Sequence, residues 1–265
     1  MAQMTGALPF ESYVDAIGEE LERIERLAAR GLDSPVPSCP GWVVGDVVAH
    51  VVTACRQWAV QVEAADAEAF TEPGPAAGRG GRAGRDARDA AVRAGATAAV
   101  RDDLEPAAAA LLATLERSGP LAPCWNWSGS DLVAGWVARR LAIELALHRV
   151  DCEQAFGRST PIERELAVDG VDERLDVHLR SNLGRVPGRV LGGSMCLVAS
   201  DADASWTVES TRGQIRWRRA RGPADVVLVA TASELLQFVW NRVDADVLAR
   251  TGRREVALAW RSVPA

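Results

Sequence analysis

Residues 136–157 read WVARRLAIELALHRVDCEQAFG, and between Leu141 and Val150 everything except Glu144, His148 and Arg149 is apolar. A helix so patterned has little surface to offer water, so it belongs inside a bundle of helices. The Ser130–Asp131 pair suits its N-cap and Gly157 its end, which predicts a helix from about Asp131 to Phe156. A carboxylate set among leucine, isoleucine and alanine needs a partner, because burying it alone would cost several kcal/mol. Glu144 and His148 are four apart, which puts both side chains on one face, one turn from each other. Histidine is otherwise scarce, at His50 and His178 only.

Arg140, Glu144, His148 and Asp151 form a continuous stripe on that helix. One reading is a solvated ladder of charge pairs, each worth about 0.3–0.5 kcal/mol. The other adds an imidazole from a second helix, His50 of CPGWVVGDVVAH (39–50). Two imidazoles and one carboxylate make a metal site with open positions, which is catalytic rather than structural ligation. His50 sits among Val47, Val48, Val51 and Val52, where a lone histidine is more often a hydrogen-bonded core residue than a ligand. His178, in DERLDVHLR, reads as a surface residue. Cys55 lies five residues beyond His50, about 140° round the helix, so the two do not share a face.

Composition removes several alternatives. All 30 basic residues are arginine, so Schiff-base, P-loop and general-base lysines are excluded. A net charge of −6 argues against general nucleic-acid binding, which rests on phosphate neutralisation. The five cysteines (Cys39, Cys55, Cys124, Cys152, Cys196) are odd in number, widely spaced and without a CxxC pair, so they form no disulfide framework or zinc finger. No apolar run reaches the roughly 18–20 residues of a membrane span. The first residues, MAQMTGALPFESYVDAIGEE, are acidic where a signal peptide is basic. The expectation is a cytoplasmic protein.

Outward from the central stretch, residues 9–31 read as an amphipathic helix ended by Gly31, with Tyr13, Ile17, Leu21, Ile24 and Leu27 on one face. A turn-rich link, DSPVPSCPG, leads to a second helix from about Val44 to Ala65. Residues 71–87 are Gly/Arg-rich and aperiodic and read as a loop. Alanine-rich residues 88–118 predict a third helix broken near Pro106, and residues 161–182 another. From Val190 the period changes to two, with strands expected at MCLVAS, SWTVES, QIRWRR, VVLVA and EVALAW and one helix at SELLQFVWNRVD. The predicted organisation is a helical domain over 1–184 and a small α/β domain over 185–265.

CPGWVVGDVVAH (39–50) and WVARRLAIELALHRVDCEQAFG (136–157) together resemble the mycothiol-dependent maleylpyruvate isomerase family, within the DinB-like metalloenzymes. LLQFVWNR (235–242), followed by RTGRREVALAW, resembles the helix of that family's C-terminal domain. The resemblance implies a DinB-like helical bundle followed by a small sterol-carrier-type α/β domain. It places metal ligands on His50, Glu144 and His148, with zinc as the metal, although the spacing also accepts nickel, cobalt or iron(II). Asp151 then either orients the neighbouring histidine or forms a helix-end salt bridge with Arg149 or another arginine. Arg242 falls where the family has a substrate-facing arginine. Mycothiol is the implied cosubstrate. Its sulfur, as thiolate, would add to a double bond conjugated to a carbonyl, and either be eliminated after rotation or stay as a conjugate. The expected function is thus thiol S-transfer or cis–trans isomerisation of a small electrophile. Trp42, Trp58 or Trp125 would contact an apolar substrate body or serve as core. The competing reading is a non-catalytic metal-containing binding or regulatory protein.

Overall fold

The structure, a computed structural model, describes residues 8–71, 98–179, 192–211 and 214–263. Apart from Thr71, the Gly/Arg-rich loop expected at 71–87 lies outside the described residues. The chain divides into two compact units, one of residues 9–160 and one that joins Leu8 to the residues from Pro161 on.

The first unit is helical: α1 (Phe10–Ala28), α2 (Val44–Glu63), α3 (Ala98–Asp102), α4 (Leu104–Ser118) and α5 (Ala134–Gln154). Helix α1 buries Tyr13, Ile17, Leu21, Ile24 and Leu27, the stripe its periodicity predicts, and packs along α5. Helix α2 packs along α4. Between positions 134 and 153 of α5 every residue except Gly135, Arg139 and Glu144 is buried. The break between α3 and α4 falls at Asp103 rather than at Pro106. Pro106 sits in the first turn of α4, where a missing N–H leaves no hydrogen bond unmade.

Helices α2 and α5 are entered through matching turns. An isolated bridge pairs Pro35 with Val43 before α2, and another pairs Pro123 with Val133 before α5. Val44 N–H donates to Ser34 O and Gly45 N–H to Leu32 O. Ala134 N–H likewise donates to Ala122 O and Gly135 N–H to Pro120 O. Backbone carbonyls of the incoming strand thereby satisfy amides that a helix start leaves open. This corrects the expected Ser130–Asp131 cap: Val133 is the N-cap of α5, with no side-chain cap bond. At the other end Gly157 has φ 69°, and Arg158 N–H reaches back to Glu153 O, the helix stop its sequence predicts.

The second unit joins α6 (Arg164–Glu173), continued by a π turn at Arg174–His178, to five strands in the order β3-β2-β1-β4-β5. These are β1 (Ser194–Ala199), β2 (Ser205–Thr211), β3 (Gln214–Arg218), β4 (Val226–Ala230) and β5 (Ala249–Gly252). Strands β1 and β4 run parallel, and the other neighbours antiparallel. Helix α7 (Ala232–Val239) packs on α6, where Ser233 Oγ accepts the Ile162 N–H at 2.9 Å. Trp206 Nε1 of β2 donates to Asp172 of α6 at 2.6 Å. The Trp206 bond ties α6 to the sheet and the Ser233 bond ties the segment before it to α7, so by contact this unit takes in residues from Pro161 on, ahead of the 184/185 division read from the sequence.

EVALAW is not a strand. It forms α8 (Arg254–Ala259) and a following 3-10 turn, while the fifth strand is the exposed segment before it. Val256, Ala257 and Trp260 are buried and Leu258 is less so, which is a helical face rather than an alternation. Among the described residues no helix is long and apolar enough to cross a membrane.

Candidate metal centre

Trp58 meets Trp136 at 5.9 Å between ring centroids, while His50, two turns earlier on α2, meets Glu144, two turns later on α5. The two helices therefore run antiparallel, and their facing positions bring the three groups together. His50 Nε2 lies 2.9 Å from Glu144 Oε1, and His148 Nε2 lies 4.0 Å from the same oxygen. The imidazole rings stand edge to face, 4.9 Å between centroids. One ligand atom from each of His50, Glu144 and His148 lies within 4.8 Å of the others.

The cluster is partly open to solvent. The side chains of His50, Glu144 and His148 are 33%, 22% and 11% exposed. Behind it Asp151 is fully buried, with Oδ2 at 3.0 Å from His148 Nδ1. Arg149, the alternative partner weighed for Asp151, donates instead to Glu20, Glu153 and Thr160. Arg140 Nε donates to Glu144 Oε2 at 3.3 Å. Burial pushes the Glu144 carboxyl up, but the hydrogen bond from His50 and the charges of Arg140 and the imidazoles outweigh it. The group is held well below the usual carboxylate range. Burial pushes the His148 imidazole down, and Asp151 offsets this only in part. Both shifts favour the forms a cation requires of its ligands, a carboxylate at Glu144 and a neutral imidazole at His148.

Donor atoms held about 2.0–2.1 Å from a common zinc ion stand roughly 3–4 Å apart. The 2.9 and 4.0 Å separations about Glu144 Oε1 match that spacing, so the residues fit a divalent cation. Two buried thiols do not compete. Burial pushes Cys55 up to about 12, with Glu144 adding to the shift, and burial does the same to Cys124.

Two partners of Asp151 were not anticipated from the sequence, Ser38 Oγ at 2.6 Å and Cys39 Sγ at 3.6 Å. Trp42 sets its ring 5.9 Å from that of His50, whereas Trp58 is core and Trp125 packs on Phe70. Arg242 belongs to the second unit, just past α7. Asn241, at φ 60°, turns the chain, Arg242 N–H caps Gln237 O, and its Nη1 donates to Trp240 O at 3.0 Å. His178 departs from its surface assignment. Its side chain is mostly buried, with the ring 4.6 Å from that of Trp240.

A helical bundle with two imidazoles and a carboxylate facing each other across antiparallel helices is a DinB-like scaffold. A family model described as the mycothiol maleylpyruvate isomerase N-terminal domain matches residues 14–153, and the chain belongs to that family. Among solved structures it is similar to a mycothiol-dependent maleylpyruvate isomerase, with a TM-score of 0.65 at 15% identity over 92% of this chain and 93% of that one. A histidine-to-alanine mutant of that isomerase gives a TM-score of 0.63 at the same identity and coverage. At such identity the likeness is one of fold. No curated protein matches.

Proposed function

We propose that this chain is a metalloenzyme that uses a low-molecular-weight thiol, mycothiol by its family's name, to act on a small electrophile. The observation that carries the reading is the gathering of His50, Glu144 and His148 at one partly open position. These residues would hold zinc or another divalent cation, with coordination positions left for an incoming group. A cation there lowers the pKa of a thiol and so supplies a thiolate at neutral pH.

The chain's own groups do the remaining work. Glu144 stays ionised, held by Arg140 and His50. Asp151 keeps His148 Nδ1 engaged, so that Nε2 points towards Glu144 with its lone pair available. The apolar wall of α5 keeps water from all but the open side. Arg242 carries a permanent positive charge suited to a carboxylate on the electrophile. Thiol transfer is the general description of such a site. Isomerisation is the case in which the thiol leaves again after rotation of the substrate bond.

His148→Ala and Arg242→Ala separate these roles in an assay of thiol-dependent consumption of carboxylate-bearing electrophiles. The first should abolish turnover while the far-UV circular dichroism stays unchanged. The second should raise KM for the electrophile and leave zinc content intact. Thiol-dependent turnover that survives His148→Ala would contradict the reading.

A further inference from the structure

We propose that Ser38 is a positioning residue for the metal centre, fixing the His148 ring through Asp151. The inference rests on the metal reading above and adds a residue of the turn before α2. Asp151 is fully buried and engaged through both oxygens: Oδ1 accepts from Ser38 Oγ at 2.6 Å, and Oδ2 faces His148 Nδ1 at 3.0 Å. Cys39 Sγ adds a longer contact to Oδ2, at 3.6 Å. A carboxylate bonded to the imidazole alone can pivot about its terminal torsion, which is broad and soft. Anchoring the second oxygen removes that freedom. The Nδ1–H tautomer of His148 is then the one that satisfies Asp151, and Nε2 is left as the acceptor.

Ser38 is not needed to shape its own turn. Val36 N–H to Trp42 O at 2.9 Å and Trp42 N–H to Cys39 O at 3.0 Å hold that turn through the backbone. The matching turn before α5 spends its polar side chains on itself. Asn126 Nδ2 donates to Ser130 O, and Ser128 Oγ donates to Asn126 Oδ1. Ser38 instead reaches a residue 113 positions away. Its turn leads directly into α2, the helix of His50, so one short segment sets the ligands of both helices.

The test is zinc affinity of the full chain, by competition with a chromophoric chelator, alongside the melting temperature of the metal-free protein. Ser38→Ala should weaken zinc binding about 10-fold, the low end of what losing a ligand's own outer partner costs, because Ser38 acts one bond further out and Asp151 remains. Ser38→Thr, which keeps the hydroxyl, should restore it. Ser128→Ala, in the matching turn, should leave it unchanged. Wild-type affinity in Ser38→Ala would overturn the proposal while leaving the metal reading standing. So would equal weakening in Ser38→Ala and Ser128→Ala, or failure of threonine to rescue, since both indicate a loosened bundle. A wild-type chain that takes up no zinc overturns both.

Discussion

Arg149 and Glu144 sit on the same buried helix and meet the cost of burial in opposite ways. Arg149 is fully buried, with Nε at 2.9 Å from Glu20, and Nη1 at 3.0 Å from Glu153 and 2.7 Å from Thr160 O. Burial disfavours its charge, but the two carboxylates outweigh this and push its pKa up. This is a closed structural network. Glu144 stands at an opening beside two imidazoles, with donor atoms converging on a common point. Replacing Arg149 by methionine would leave Glu20 and Glu153 buried around a missing cation. A loss of about 3–5 kcal/mol is expected, read as a lower urea midpoint with zinc content unchanged. A shift under about 1 kcal/mol would show that the network is not the closed one described. The pairing of Glu144 with His148 was legible because a four-residue step on a helix dictates it. Ser38 was not, because no local rule links residues so distant in the chain, and its serine reads as an ordinary turn residue.

At the scale of elements, periodicity and capping had different legibility. The buried stripe of α1 and the stop of α5 at Gly157 follow from spacing and from glycine's tolerance of positive φ. The start of α5 was misplaced because its amides are satisfied by the carbonyls of Ala122 and Pro120, and a backbone cap leaves no side-chain signature. EVALAW reads as a strand because a six-residue apolar segment satisfies either period, and only packing decides. Strand β5 went unseen since it is exposed throughout and polar. Gly252 explains how so plain a strand is held. It has φ 102°, pairs with Val226, and a Cβ there would lie 2.2 Å from Asp225 O. Gly252→Ala therefore combines backbone strain with a clash against main chain and should cost about 2–4 kcal/mol. Amide hydrogen exchange should show faster exchange along β4 and β5. Unchanged exchange there would contradict the pairing.

On the scale of the whole molecule, the change of pattern along the chain announced two units. The boundary was displaced because α6 is a helix by sequence and a partner of the second unit by contact, with the sheet through Trp206 and with α7 through Ser233. Hydrophobic periodicity reports which face of a helix is buried, not which unit it is buried against. The family follows from the match over residues 14–153, and the central claim is that its bundle holds a metal at His50, Glu144 and His148. Metal content by plasma mass spectrometry tests this most directly, on wild type and Glu144→Ala purified without chelator. Stoichiometric zinc in the wild type and its loss in the variant are the results expected. A wild type that neither carries zinc nor gains stability when zinc is added would contradict the account and leave the polar stripe of α5 a set of ion pairs.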